Sequence, residues 1–265
     1  MKRRTFALTA LSVLALPPVL AACSGGAGGD GAIRAGSTGQ SYPNSYQEDG
    51  TLIGFDVEVI EKIAEALGRE VTWTNADFSG LMGQLEARKL ETVANNVAVT
   101  EERSGQYDFT QPYAYMGAVV ATLGSNTELE TLEDIAGHTI AGVLGSNNTT
   151  HLETWAKEND VDVEIRTYET RDGAMQDLLA GRVDGYIQSS GIFLAEMQKS
   201  DADLKFVGDP IAWEAVAFPF EKGSELVAQF DEQIAALTED GTLKELSEKY
   251  YGDDVTAEPE GFTGS

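Results

Sequence analysis

The spacing of apolar residues changes from segment to segment, and that alternation confines the chain to a fold of strands and helices in turn. Ala32–Gly36 reads as a short strand. From Phe55 to Gly68, Ile60, Ile63, Ala64 and Leu67 recur at i, i+3, i+4 and i+7, one face of a helix, with Asp56 placed to cap its start and Gly68 to close its end. Val71–Thr74 reads as a strand, Ser79–Lys89 as a helix with Leu81 and Leu85 inward, and Thr92–Val97 as a strand. This β-α-β-α-β order predicts an α/β fold with a mostly parallel sheet covered by helices. Ligands on such sheets sit at the carboxyl ends of the strands.

A second unit of the same kind begins near Thr122. Thr139–Val143, Val163–Tyr168 and Val183–Ile187 read as strands. Thr149–Asn159 and Asp172–Ala180, the latter closed by Gly181, read as helices. The chain then returns through Lys205–Gly208 to helical segments at Leu226–Leu237 and Thr242–Tyr251. Two α/β lobes are expected, 32–120 plus 210–252 and 121–209, joined by two strand crossings near Val119–Thr122 and Val207–Ile211. Residues 253–265, rich in Gly, Glu and Thr, read as a loose tail.

Residues 1–22 read as an export signal. Lys2, Arg3 and Arg4 form its basic end, and Phe6–Leu20 forms an apolar core interrupted by Pro17-Pro18 and too short to span a bilayer comfortably. Leu20-Ala21-Ala22-Cys23 fits the bacterial lipobox, in which the cysteine is diacylated and becomes the new N-terminus. Cys23 is the only cysteine, so the remainder has no disulfide or thiol chemistry. Residues 23–31 then read as a flexible tether. The chain carries 44 Asp and Glu against 18 Lys and Arg, a net charge of -26, and three of those bases lie in the leader. Such a surface argues against nucleic acid and anionic membrane as partners, both of which need basic patches.

The stretch Asn95–Tyr113, N-N-V-A-V-T-E-E-R-S-G-Q-Y-D-F-T-Q-P-Y, carries the binding chemistry. Thr100 is a good N-cap, and Glu101 and Glu102 suit the first turn of a helix. Arg103 follows with a planar, permanently charged fork that matches a carboxylate. T-E-E-R alone also fits a plain capped surface helix. Followed by Y-D-F-T-Q-P-Y, it resembles the hallmark of the family 3 solute-binding proteins, which deliver polar amino acids to ABC importers. G-S-T-G-Q-S-Y-P from Gly36, L-I-G-F-D-V-E-V from Leu52, L-E-D-I-A-G from Leu132 and G-R-V-D from Gly181 continue the resemblance. E-D-G-T-L-K-E-L-S-E-K-Y-Y-G from Glu239 completes it, so that it covers roughly residues 32 to 252.

The resemblance implies a type II periplasmic-binding-protein fold whose two lobes, joined by a two-strand hinge, close over a ligand. It implies that Arg103 grips the ligand's carboxylate and that Ser146 and Asn147, with Asn148 beside them, complete that site from the second lobe. G-S-N-N-T at Gly145–Thr149 independently reads as a strand-to-helix turn whose free N–H groups could receive an anion, or as a plain capped turn. The resemblance further implies that Tyr42 and Phe78 flank the ligand's side chain with aromatic faces. At the amino end the chain departs from the family pattern: Ser189 stands where an aspartate is usual and Ala98 where a hydroxyl residue is usual. The acid that some relatives carry in the first loop is missing too, with Gly39 at or near its place. Asp77, Glu214, or the backbone carbonyls near Asn96 together with Ser189 are the candidate replacements; a ligand without a normal α-amino group is the alternative. Asn95-Asn96 within V-A-N-N-V is similar to the cystine-binding branch, which makes cystine or another polar amino acid the leading ligand.

Partners are then a small carboxylate ligand, a membrane permease of an ABC importer and the lipid on Cys23. Location outside the cytoplasm and a monomeric state are expected. No phosphate loop G-x-x-x-x-G-K-[ST] is present, so any transport would be powered elsewhere. No cofactor or metal is expected, since His138 and His151 lack metal-ligand spacing and read as solvated. Two other readings fit the same fold: an exported enzyme of the cyclohexadienyl dehydratase type, which would need a general acid or base in the cleft, and a ligand sensor for a membrane receptor. No nucleophile motif supports the enzyme.

Overall fold

The computed structural model describes residues 31–200, 202–260 and 262. The expected leader, Cys23 and all of the tether except Gly31 lie outside the described residues.

The first lobe starts with β1 (Ile33–Ser37), a small antiparallel meander of β2 (Gln40–Ser41), β3 (Ser45–Glu48) and β4 (Thr51–Ile53), and α1 (Phe55–Ala66). It continues through β5 (Val71–Asn75), α2 (Phe78–Glu86), β6 (Thr92–Val93), α3 (Glu101–Gln106) and β7 (Tyr107–Phe109). β1 lies between β5 and β6 in a parallel sheet. The expected strand Thr92–Val97 is cut to two residues. Asn96 takes φ 52, a left-handed conformation that no strand holds, and turns the chain toward α3.

α1 buries Ile60, Ile63 and Ala64 as their spacing requires, but Asp56 does not cap it. The cap is Gly54, with φ 136 and no side-chain hydrogen bond. Phe55 N–H donates to Pro43 O and Asp56 N–H to Asn44 O, both at 3.0 Å, so the helix start is pinned to the loop that carries Tyr42. A Cβ at Gly54 would lie 2.3 Å from Asn44 O.

β8 (Ala114–Leu123) leads into the second lobe. Next come a 3-10 turn at Leu132–Ile135, β9 (Thr139–Val143), α4 (Asn147–Glu158), β10 (Glu164–Tyr168), α5 (Arg171–Leu179), β11 (Gly185–Ser189) and α6 (Ser190–Ser200). β12 (Leu204–Val216) returns the chain to β13 (Pro219–Glu221), α7 (Leu226–Glu239) and α8 (Thr242–Tyr251). The sheet order is β10-β9-β11-β8-β12, with β9 parallel to both neighbours and β8 antiparallel to both of its own.

β8 and β12 pair along most of their length, with a register shift between Val207 and Ala212. Their ends belong to different cores. Ala114, Met116 and Val216 pack with Phe55, Ile60, Phe230 and Tyr251 from α1, α7 and α8. Ala118, Val120 and Val207 pack with Ile140, Leu152 and Ile187. Val119 and Ala121 lie on the opposite side with Leu178 and Phe193. Among the described residues no helix is long and apolar enough to cross a membrane.

The segment from residue 253 is not loose at its start, as its composition suggested. Ser247 Oγ donates to Asp253 O at 2.6 Å and accepts from Val255 N–H at 2.8 Å, and Val255 O receives Tyr115 N–H from β8 at 2.7 Å. The Val255 side chain is buried in the first core, and Phe262 meets the Tyr115 ring edge-on. One hydroxyl with a donor and an acceptor role thus holds a turn that composition alone does not report.

Gly54→Ala combines a backbone conformation closed to L side chains with a clash against main chain, and its expected cost is about 2–4 kcal/mol. Urea unfolding of both proteins measures it; a cost below about 0.5 kcal/mol, the size of an ordinary surface substitution, would show that the Asn44 loop yields freely.

Candidate functional site

A cavity of about 1040 Å³ opens between the lobes. Thr38, Tyr42, Asp77, Phe78 and Asn95 line it from the first lobe, and Thr170, Arg171, Asp172, Tyr186 and Glu196 from the second. Three of the sequence-predicted residues, Tyr42, Phe78 and Asn95, therefore share one wall.

That wall is held by contacts from several elements. Tyr42 packs edge-on against Tyr46 at 4.9 Å, and Lys199 Nζ from α6 lies 4.4 Å from its ring centre. Asp77 caps α2 by accepting from Gly80 N–H at 2.7 Å and from Ser79 Oγ at 2.8 Å, which lowers its pKa and leaves it occupied as a helix cap. Asn95 Oδ1 accepts from Thr38 Oγ1 at 2.7 Å.

Arg103 stands beside this wall. Thr100 caps α3 as expected, its Oγ1 accepting from Arg103 N–H at 3.2 Å. The guanidinium lies 5.5 Å from the Phe78 ring centre, and Nη1 donates to Ala98 O at 2.9 Å. Among the described residues no carboxylate pairs with it, so most of a charged donor fork stays available. Ala98 itself bridges Val216 of β12, and its contribution here is a carbonyl rather than a side chain.

The other predicted residues form a separate group on the second lobe. Ser146 caps α4, its Oγ accepting from Thr149 N–H at 3.2 Å. Asn147 and Asn148 are the first residues of that helix, where amide N–H groups have no carbonyl one turn earlier. Asn148 Nδ2 and Ser189 N–H both donate to Gln188 Oε1 at 2.8 Å, and Gln188 Nε2 donates to Tyr186 OH at 2.9 Å. Asn148 Oδ1 and Ser189 Oγ are buried with no hydrogen-bond partner among the described residues. Asn147 Nδ2 donates to Glu214 Oε1 at 3.3 Å, and His151 Nε2 lies 3.2 Å from the same oxygen. His138 Nδ1 lies 3.3 Å from Asp184 Oδ2, at the far end of β9. Among the described residues no group of three or more His, Cys, Asp or Glu side chains could hold a metal ion.

Sequence reasoning missed Asp56. Its carboxyl is fully buried, and Oδ2 accepts from Asn96 N–H at 2.5 Å. The bond holds Asn96 in its left-handed turn, and with it the chain from Asn95 to Ala98. The hydroxyl of Tyr113, itself fully buried, interacts with the same carboxyl. Burial pushes the Asp56 pKa from the usual carboxylate value up to about 7, partly opposed by the Asn96 N–H and then by the Tyr113 hydroxyl.

Residues 33–253 match the bacterial extracellular solute-binding proteins, family 3. The chain belongs to that family. It is 44% identical over 257 residues to the probable amino-acid-binding protein YxeM of Bacillus subtilis, with 94% of this chain and 97% of the relative covered. It is 31% identical over 229 residues to the L-cystine-binding protein TcyJ of Escherichia coli, covering 85% of each. Among solved structures it is similar to the probable amino-acid ABC transporter extracellular-binding protein YtmK of Bacillus subtilis. The TM-score there is 0.78 at 27% identity, with 84% of this chain and 98% of that one covered. The fold is the type II periplasmic-binding fold expected from the motifs, and the cavity of this family 3 protein lies where the two lobes face each other.

Asp56 gives a signed pH dependence. Its folded pKa is above its unfolded one, so the folded chain binds the extra proton between about pH 4 and pH 7. Its contribution to stability is therefore present in full below about pH 4 and is lost as pH rises to 7. Asp56→Asn, which keeps an acceptor for Asn96 N–H, is expected to flatten that part of the stability–pH profile. Urea midpoints between pH 4 and pH 8 check it, and an unchanged slope would assign the dependence to other groups.

Proposed function

We propose that this chain is the substrate-binding lipoprotein of an ABC importer, which captures a polar amino acid, cystine or a similar one, and delivers it to a membrane permease. The observation that carries the proposal is Arg103: a guanidinium stacked on Phe78, steadied by Ala98 O, and without a carboxylate partner among the described residues. A carboxylate ligand would fill its fork with charge-assisted hydrogen bonds. The amides of Asn147 and Asn148 at the start of α4 would meet the same group from the other lobe.

The lobes, taken as 32–120 plus 210–252 and 121–209, would close on a ligand that touches both. Closure follows from contacts made only in the closed state. Tyr42 and Phe78 would hold the apolar part of the side chain, and Asn95 a polar group farther along it. The names of YxeM and TcyJ support an amino acid, and that of TcyJ supports cystine. Diacylated Cys23 would anchor the protein outside the cytoplasm as a monomer, with no cofactor.

Calorimetry of the purified protein with the common L-amino acids, L-cystine and carboxylates lacking an amine tests the reading. An α-amino acid should bind, and Arg103→Ala should weaken it at least about 100-fold, the usual cost of removing one partner of a desolvated charge pair, with Arg103→Lys intermediate. Unchanged affinity in Arg103→Ala would remove this residue from the site.

A further inference from the structure

We infer that the ligand carries an amino-acid head at each end, and that Arg171, at the start of α5, receives the carboxylate of the second head. The inference rests on the reading of Arg103 as the receptor of the first head, and it names the class of ligand that the remaining cavity wall fits.

The arginines of the chain fall into two groups. Seven lie among the described residues. Arg34, Arg69, Arg88, Arg166 and Arg182 each form an ion pair with an Asp or Glu side chain. Arg103 and Arg171 form none among the described residues, although the chain has 44 acids against 18 bases and carboxylates are in ample supply. Both stand by the interlobe cavity. Arg103 stacks on Phe78, a residue of the cavity wall, and Arg171 is itself part of that wall.

The local structure gives Arg171 no other task. It is the first residue of α5, where the free N–H groups of the helix make a positive charge unfavourable. Thr170 already caps that helix by accepting from Gly173 N–H at 3.2 Å, and Asp172 supplies the acid that a first turn favours. The charge of Arg171 reaches the cavity. Burial raises the pKa of Tyr186, a cavity residue, and among the smaller effects Arg171 lowers it while Asp172 raises it, which places both side chains near that hydroxyl.

The neighbouring acids show what accompanies the second carboxylate. Asp172 and Glu196 share the second-lobe side of the cavity with Arg171, and neither forms an ion pair among the described residues. After burial, the charge of Glu196 is the next cause of the raised pKa of Tyr42, so this acid faces the aromatic wall. A bare carboxylate at this end would meet two like charges for one opposite charge. An ammonium on the adjacent carbon balances them. Between the two ends the lining is aromatic and apolar, with Tyr42 and Phe78 from one lobe and Met175 and Ile192 from the other. Such a lining suits methylenes and polarizable sulfur. A charged head at each end of an apolar or sulfur-bearing middle describes cystine and its close analogues, rather than amino acids whose side chain is neutral or purely cationic.

Calorimetry on the full chain tests this with L-cystine, with S-methyl-L-cysteine, which keeps one head and one sulfur, and with two mixed disulfides of L-cysteine. The disulfide with 3-mercaptopropionate keeps the distal carboxylate and lacks the distal amine; the disulfide with cysteamine does the reverse. The wild type is expected to bind L-cystine at least about 10-fold more tightly than S-methyl-L-cysteine, the usual worth of hydrogen bonds to a charged group. Arg171→Ala should lose about 10-fold for L-cystine and for the 3-mercaptopropionate disulfide, and nothing for the other two. Arg171→Lys, which keeps the charge without the fork, should lose less. An unchanged affinity for L-cystine in Arg171→Ala, or an equal loss for all four compounds as from a merely structural role, overturns the inference while leaving Arg103 in place. So does a wild type that binds only amino acids with a single carboxylate. If the wild type binds no amino acid, the reading of Arg103 fails and this one with it.

Discussion

The antiparallel pairing of β8 with β12 is the constraint on which everything else in the molecule depends. Each strand contributes one end to the core of the first lobe and the other end to the cores of the second, so a single ladder belongs to both. Strands of ordinary length, five or six residues, could not do this; β8 has 10 and β12 has 13. The same ladder brings elements of both lobes together. Ala98 joins it through Val216, Asn147 meets it through Glu214, and Ser189 reaches it through Ala118.

The charge of the chain and the charge of the site obey different rules. A net charge of -26 spread over a surface is screened beyond roughly 8 Å at physiological salt. Buried groups escape that screening. Asp56, fully buried, therefore sets its local chemistry in a molecule whose bulk composition says only that it is acidic. Asp56 shows the difference well: the same residue type that merely solvates the surface elsewhere here holds a backbone turn from inside the core and keeps its proton far longer.

What was legible in the sequence was local. The apolar period of α1, the Thr100 cap and the aromatic positions of the cavity wall all lie in short segments that the sequence singles out on their own. The meander β2–β4 was not legible, because strands of two to four residues are too short to show alternation. Asp56 was misread because an acid near the start of a helix looks like a cap whether its partner is the next turn or Asn96, 40 residues away. Thr170, Arg171 and Asp172 reach the cavity only because β10 pairs with β9, a non-local fact.

The hydrogen bond from Tyr115 to Val255 O has a practical side. Residues 253–260 do not leave the molecule at the end of α8 but run back to the base of β8, with Phe262 against the Tyr115 ring. A probe attached to Val255 or its neighbours would thus sit beside the ladder shared by both lobes rather than at their rims.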